Sequence, residues 1–277
     1  MPKKQIIGVA GIGMVGGALQ RYLEGEGHNL VLYDPGKGFD SVEELNKASI
    51  VFVCVPTPFD KKTNSFDSSY IEDSFQKLEG SKIVVIKSTV LPGTTERMQK
   101  EYPQHKVLFN PEFLSEATAD DDMRNPDRQL VGYTQQSKRV ARRILNLLPR
   151  APFERTMPAT EAEMVKYFNN TFNAVKVIFA NQMYDVCQAL GIDYENVADA
   201  AAASRFLQIK DHLKVVHKGY RGYGGKCLPK DIKALIRYTE DLGVDLALHR
   251  TADEINEALL AEQGIEDPET FSKREGY

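Results

Sequence analysis

The sequence is poor in the features that mark most specialised classes of protein. It has no basic surplus: 35 Lys and Arg stand against 39 Asp and Glu, a net charge of −4, which argues against nucleic acid or an anionic membrane as partner. No apolar run approaches the roughly 20 residues that span a bilayer. The opening, MPKKQIIGVA, lacks the apolar stretch and cleavage site of a secretory leader, so a cytoplasmic location is expected. Only three cysteines occur, Cys54, Cys187 and Cys227. In a reducing compartment they stay thiols, and their spacing suits no metal site. Asn169-Asn170-Thr171 spells a glycosylation sequon that carries no meaning without secretion. What remains, at 42% hydrophobic over 277 residues, is a globular chain of one large domain or two ordinary ones.

The first half alternates short β-rich runs with helical stretches. IIGVA (6–10), LVLY (30–33), IVFVCV (50–55), KIVVIK (82–87), VLFN (107–110) and QLVGY (129–133) read as strands. Several are apolar throughout, as strands covered on both faces must be. That order predicts an α/β fold, an N-terminal Rossmann-like doubly wound parallel sheet. Near residue 155 the pattern turns helical and no convincing strand follows. The expected division is therefore a dinucleotide-binding domain over 1–155 and an all-helical domain over 156–277. Thr160 with Glu163 reads as a capping box at the start of a long helix. Met164, Phe168, Phe172, Val175, Phe179, Met183, Val186 and Leu190 then recur at three- and four-residue steps until Gly191. A rod of some thirty residues, about 1.5 Å each, exceeds what one small domain covers, so a homodimer through this helix is expected. Shorter helices are predicted at 194–203, 229–242 and 246–261, with a polar tail.

GIGMVG (11–16) follows the first strand and opens a helix. In such a turn Gly11 allows the tight bend, Gly13 lets a pyrophosphate approach the backbone, and Gly16 lets helix and strand pack closely. Ile12, Met14 and Val15 complete the loop. Asp34 ends the next strand 18 residues after Gly16, placed to accept from ribose hydroxyls and to repel a 2′-phosphate. NAD is therefore expected as cofactor; the alternative is a structural glycine turn beside a solvated aspartate. CVPTP (54–58) and KSTVLPGT (87–94) leave the third and fourth strands at the sheet's carboxyl edge, where such folds bind ligands. Val55, Pro56, Thr57, Ser88 and Thr89 are thus cofactor candidates, whereas Cys54 reads as a small core residue.

GYGGKCLPKD (222–231) places Cys227 just before a helix. Pro229 suits the first turn and Asp231 the positive end. A thiol there is biased toward thiolate by unpaired N–H groups and the macrodipole, with Lys226 and Lys230 adding charge. The competing reading is a small buried residue in a capping loop. Lys166 and Asn170, four apart on the long helix, could present an ammonium and an amide to one oxygen atom, or form part of a solvated face. Cys187, within that helix, reads as packing.

Taken in order, GIGMVG, CVPTP, KSTVLPGT, NPEFLSEATADD, EAEMVKYFNNTF and GYGGKCLPKD resemble the UDP-glucose/GDP-mannose 6-dehydrogenase family over about residues 5 to 245. The resemblance implies a cytoplasmic oxidoreductase for polysaccharide precursors, which turns the C6 alcohol of a nucleotide sugar into a carboxylate with two NAD, UDP-glucose being the first expectation. It implies Cys227 as nucleophile through a thiohemiacetal and a thioester. Lys166 and Asn170 would stabilise the oxyanion, Asp231 would move protons through a water, and Glu116 would act as hydrolytic base. Thr89 would hold a water near the nicotinamide, and Lys230 and Glu116 would reach NAD. Glu112, Phe113, Leu114, Ser115 and Glu116, with Tyr223, Gly224, Lys166 and Asn170, would line the sugar-nucleotide site. The family often brings an arginine from a neighbouring subunit; Arg205 and Arg221 are the candidates. Family chains usually continue into a third, nucleotide-binding α/β domain, so base recognition here is expected to be weaker, reorganised or supplied by another chain. Two other readings stay open: a two-electron β-hydroxyacid dehydrogenase, and a silent NAD-binding subunit.

Overall fold

The computed structural model describes residues 5–60, 65–204, 215–217, 219–225 and 227–266. In chain order the elements are β1 (Ile6–Ala10), α1 (Met14–Gly25), β2 (Asn29–Tyr33), a 3-10 turn (Pro35–Lys37), α2 (Val42–Asn46), β3 (Ile50–Val53), β4 (Phe59–Asp60), β5 (Ser65–Phe66), α3 (Ser69–Gln76), β6 (Ile83–Ile86), α4 (Thr94–Glu101), β7 (Lys106–Phe109), α5 (Ala119–Arg124), β8 (Arg128–Tyr133), α6 (Lys138–Leu147) and β9 (Phe153–Pro158). Then come α7 (Ala159–Leu190), α8 (Tyr194–Ala202), β10 (Val216–His217), β11 (Tyr220–Arg221), α9 (Leu228–Asp241) and α10 (Ala247–Glu262). They fall into two units, the first running to Lys166 and the second taking up the chain from Tyr167.

The first unit is built on a seven-stranded sheet of order β2-β1-β3-β6-β7-β8-β9. The all-apolar runs become its centre because both faces are covered. Ile50, Phe52, Ile83 and Val85 point into one core with Leu19 and Leu23 of α1. Their neighbours Val51, Val53, Val84 and Ile86 point into the other, with Phe75 and Met98. Strand periodicity of two thus feeds two layers from one run of residues. All pairings are parallel except β7 with β8. The order reverses at β1, between β2 and β3, and in open α/β sheets that switch point is where a ligand crevice forms beyond the strand carboxyl ends.

The second unit is largely helical and contains α7 from Tyr167 onward, the greater part of that 32-residue helix. Ala174, Ile178, Tyr223, Ile232 and Ala252 form one of its cores, and Ala180, Cys187, Tyr194 and Val215 another.

Three expectations are corrected. β9 continues the sheet beyond the last expected strand; FERTMP carries no apolar run because this edge strand pairs only with β8 and is half exposed. The second half is not purely helical, since β10 and β11 form an antiparallel pair of two residues each, too short to leave a periodic signal. Finally, Glu163 does not serve as the reach-back carboxylate of a capping box on its own helix. Its Oε2 accepts from Gly93 N at 2.6 Å, and its Oε1 from Thr95 N at 2.8 Å and Thr95 Oγ1 at 2.6 Å. It caps α4 instead, satisfying N–H groups that helix leaves open.

Burial outweighs those three donors and pushes the Glu163 carboxyl up to about 6. A carboxyl raised on folding stabilises fully below its unfolded value and loses that contribution as pH rises through its folded value. Unfolding in urea should therefore show a stability component on the order of 2 kcal/mol that fades between about pH 4.5 and 6. The same component should be absent from Glu163→Gln, and an unchanged pH slope in that variant would count against the assignment.

Candidate active site

The turn after β1 is shaped by two close approaches. Gly11 has φ +86, and a Cβ there would lie 2.7 Å from the Cys54 carbonyl oxygen. A Cβ on Gly16 would lie 1.9 Å from Gly11 O, so any other residue would push α1 off the strand. Gly13 differs: a Cβ there would meet nothing within 4 Å, leaving open space at the N-terminus of a 12-residue helix. Asp34 accepts a hydrogen bond from Ile12 N at 2.7 Å through Oδ2, and Lys37 donates to Ile12 O at 2.5 Å. A backbone cradle open at a helix N-terminus, with a carboxylate at the end of β2, fits a dinucleotide and its adenosine ribose. Met14 is exposed, Ile12 buried and Val15 half-buried.

The two neighbouring loops are stitched to each other. Ser88 Oγ donates to Val55 O at 2.6 Å, and Thr57 Oγ1 donates to Thr89 O at 2.8 Å. Ser88 and Thr57, expected at the cofactor, are buried and spend their hydroxyls on loop geometry. Pro56 stiffens that loop, and Thr89 remains half-buried. Cys54 is buried, and burial pushes its thiol up to about 12 despite the nearby Lys87; it is a neutral packing residue, as expected.

The NPEFLSE loop follows β7. Asn110 is fully buried, and its Nδ2 donates to Gln129 Oε1 at 2.8 Å and Leu130 O at 2.7 Å. Two residues on, Glu112 forms a buried ion pair with Lys166 of α7 at 2.6 Å, and Lys166 Nζ also reaches Glu112 O at 2.9 Å. Burial raises the Glu112 carboxyl, but the charge and hydrogen bond of Lys166, the Leu114 N–H and the charge of Lys87 outweigh it and hold it below its ordinary value. The Arg128 guanidinium sits 3.8 Å from the centre of the Phe113 ring. Ser115 N donates to Asp122 Oδ2 at 2.8 Å. Ser115 and Glu116 are exposed and Leu114 is half-buried.

A second cluster lies in the second unit. Asp231 is 0% exposed, accepts from Asn170 Nδ2 at 2.5 Å, and pairs with Lys230 Nζ at 2.5 Å. Cys227 is exposed at the N-cap of α9, with Pro229 in the first turn as the sequence implied. Lys166 and Asn170 are one turn apart on α7, yet the oxygens they meet here are those of Glu112 and Asp231. The glycine loop before Cys227 is held by a residue that sequence reasoning missed. Asn256 of α10 accepts from Tyr223 N at 2.7 Å and donates to Tyr223 O at 3.0 Å. Gly222, at φ +96, could carry no Cβ, because Asn256 Oδ1 would be 2.7 Å away. An asparagine inside a helical run offers no signal of that role. Tyr223, expected to line the substrate site, is buried and donates its hydroxyl to Asp253 at 3.0 Å, while Gly224 is half-buried. Arg221 is engaged by its own chain, with Nη2 on Asp185 at 2.6 Å and the guanidinium 4.9 Å from the Tyr184 ring centre. Arg205 and Lys226 lie outside the described residues.

Fold and cradle together define a dinucleotide-binding protein built from a Rossmann-like unit and a second, largely helical one. Residues 36–148 match the NAD binding domain, and residues 160–258 the central domain, of the UDP-glucose/GDP-mannose dehydrogenase family. The chain belongs to this family, and its cofactor is NAD. The UDP-glucose 6-dehydrogenase of Pseudomonas aeruginosa is 35% identical over 77% of this chain and 49% of its own length. The GDP-mannose 6-dehydrogenase of Pseudomonas putida is 29% identical over 85% and 56%. The chain thus spans about half the length of the curated relatives it matches. Among solved structures, a UDP-glucose dehydrogenase from Pyrobaculum islandicum superimposes with a TM-score of 0.80 at 28% identity, over 95% of this chain and 73% of that one. A 3-hydroxyisobutyrate dehydrogenase from Mycobacterium tuberculosis, 17% identical with a TM-score of 0.74 over 98% and 99%, shares the fold alone. No helix among the described residues is long and apolar enough to cross a membrane, and those residues hold no cluster suited to a metal.

The buried pair yields a stability test. Lys166→Met takes the ion-pair partner from the buried Glu112 carboxylate and should cost about 3 kcal/mol in urea unfolding. Adding Glu112→Leu should recover most of that loss. Additive losses in the double variant would show that the two side chains do not depend on each other.

Proposed function

We propose that the chain carries out the NAD-dependent four-electron oxidation of a nucleotide sugar at C6, giving the uronate, with UDP-glucose as the first candidate substrate. The observation that carries this reading is Cys227, exposed at a helix N-terminus in a chain of this family. A two-electron dehydrogenase has no use for such a thiol.

NAD, when bound, takes two electrons as hydride in each of two oxidations. The remaining chemistry belongs to side chains. After the alcohol has become an aldehyde, the Cys227 thiolate adds to it and makes a thiohemiacetal. Covalent attachment keeps the intermediate while spent cofactor is exchanged. The second oxidation leaves a thioester, and water cleaves it to carboxylate and regenerated thiolate. Lys166 and Asn170 are the donors for the oxyanion, and release from Glu112 and Asp231 is the condition for that role. Asp231, 3.0 Å through its N–H from Cys227 O, handles protons through a water. Thr89 holds a water at the nicotinamide, and Lys230 with Glu116 contacts NAD. Two carboxylates compete as hydrolytic base: the exposed Glu116, and Glu112 beside Lys166. Residues 112–116 and Gly224 line the sugar-nucleotide site, while buried Tyr223 supports it through the loop. Arg205 and Arg221 remain the candidates for reaching the substrate of a neighbouring subunit.

The same reading makes the protein a homodimer through α7. Phe168, Phe172, Phe179, Val186 and Leu190 are 70%, 51%, 56%, 47% and 67% exposed along that helix, an apolar stripe that water alone does not favour. Sedimentation should show a dimer, and Phe172→Glu with Phe179→Glu should shift it to monomer. A wild-type protein that stays monomeric at all concentrations would remove this part of the reading.

The rival reading is a two-electron oxidation of a β-hydroxyacid, an activity open to a Rossmann-like domain followed by helices and independent of any thiol nucleophile. Stoichiometry separates them. Purified protein with NAD and UDP-glucose should release two NADH per sugar, falling by at least 10³-fold in rate for Cys227→Ala, on the order of 4 kcal/mol. One NADH per substrate would favour the rival. NAD binding without turnover of any UDP or GDP sugar would favour a silent subunit.

A further inference from the structure

Lys87 closes β6 at the sheet's carboxyl edge, and no step above uses it. It is 3% exposed. Its Nζ donates one hydrogen bond, to Asn110 Oδ1 at 2.6 Å, although an ammonium carries three donors. Burying such a cation is costly unless something nearby uses its charge. The orientation of Asn110 is fixed: both its N–H groups are taken by Gln129 and Leu130 O, so Oδ1 faces the lysine. Asn110 is two residues before Glu112, and the Lys87 charge acts on the Glu112 carboxylate. The groups that face Lys87 are Cys54 at the end of β3, Glu112 beyond β7 and Lys166 on α7; burial is the largest influence on the amine and holds it below its ordinary value. Glu112 is faced by Lys166, Lys87 and the Leu114 N–H. With Cys54 neutral, two buried lysines act on one buried carboxylate within the first unit.

We propose that Lys87 is a positioning residue for the Glu112–Lys166 pair, anchoring the loop through Asn110 and supplying the second buried positive charge that the Glu112 carboxylate faces. With that charge present Glu112 stays ionised at lower pH, and the carboxylate keeps a positive neighbour when Lys166 leaves it for a developing oxyanion. The catalytic consequence rests on the proposed function; the electrostatic part stands without it.

Two variants separate the charge from the prop. Lys87→Gln keeps a donor for Asn110 and removes the charge, whereas Lys87→Met removes both. The first readout needs no turnover: titration of the Glu112 carboxyl carbon by NMR in protein labelled at glutamate, the resonance being assigned by its loss in Glu112→Gln. Both variants should move that titration upward by about one pH unit, with NAD affinity and urea midpoint reporting that the fold is kept. The second readout is the pH profile of turnover, whose acid limb should move up by the same amount while KM for the sugar changes less than twofold. A Glu112 titration that is unchanged in Lys87→Gln overturns the proposal and leaves Lys87 as a prop for Asn110. If wild-type protein turns over no nucleotide sugar, the proposed function fails, and the NMR titration still decides the role of Lys87. If Lys87→Met does not fold, Lys87→Gln alone decides.

Discussion

The buried pair of Glu112 and Lys166 is the constraint from which much of the first unit's site follows. It brings the first turns of a long helix onto the loop beyond β7, and it does so with two charges almost wholly removed from water. Neither group tolerates burial alone, so each specifies the other's position more strictly than an apolar contact would. The neighbouring donors complete the arrangement: the Leu114 N–H caps the second carboxylate oxygen at 2.9 Å, and Lys166 also holds the Glu112 carbonyl. A loop that would otherwise be free to drift is thereby fixed in backbone and side chain. One turn earlier on α7, Glu163 does the same for the loop before α4. Two acidic anchors thus set the two loops that flank the sheet's carboxyl edge.

The second unit solves a similar problem with neutral groups. A glycine-rich loop has little of its own to hold it, since glycine lacks side-chain contacts and has the largest backbone entropy to lose. Asn256 supplies both a donor and an acceptor to the backbone of Tyr223, and Asp253 takes the tyrosine hydroxyl. Lys233 pairs with Asp253 and Glu257, so α9 and α10 are bound together around the loop that ends at Cys227. The thiol's position at the N-cap is therefore set by a helix later in the chain.

The expected residues divide by what their polar atoms do. Thr57, Ser88 and Tyr223 have side chains whose hydrogen-bonding capacity is consumed inside the protein, and their part in any ligand site is to shape it. Lys166 and Asn170 have donors committed to carboxylates, and such donors act on a ligand only by exchange of partner. Asp34 and Thr89, by contrast, keep acceptor or donor capacity at the carboxyl edge. This division follows from hydrogen-bond accounting in buried surroundings, where an unmade bond costs more than a made one gains.

The chain of residues by itself determined the alternation of strands and helices, the central apolar strands, the glycine turn with Asp34, the long helix and the placement of Cys227 before α9. Each of these is local: a period, a cap or a spacing is written within about thirty residues. It left β9 unmarked because an edge strand needs no apolar face, and β10 and β11 because two residues carry no period. Only the tertiary structure decided that Glu163 caps α4 and not its own helix, that Lys166 meets Glu112, and that Asn256 holds the loop before the cysteine. These contacts join residues 54, 68 and 33 positions apart. A buried polar group takes whichever partner packing brings within 3 Å, and that choice is settled by the whole fold and by no stretch of it.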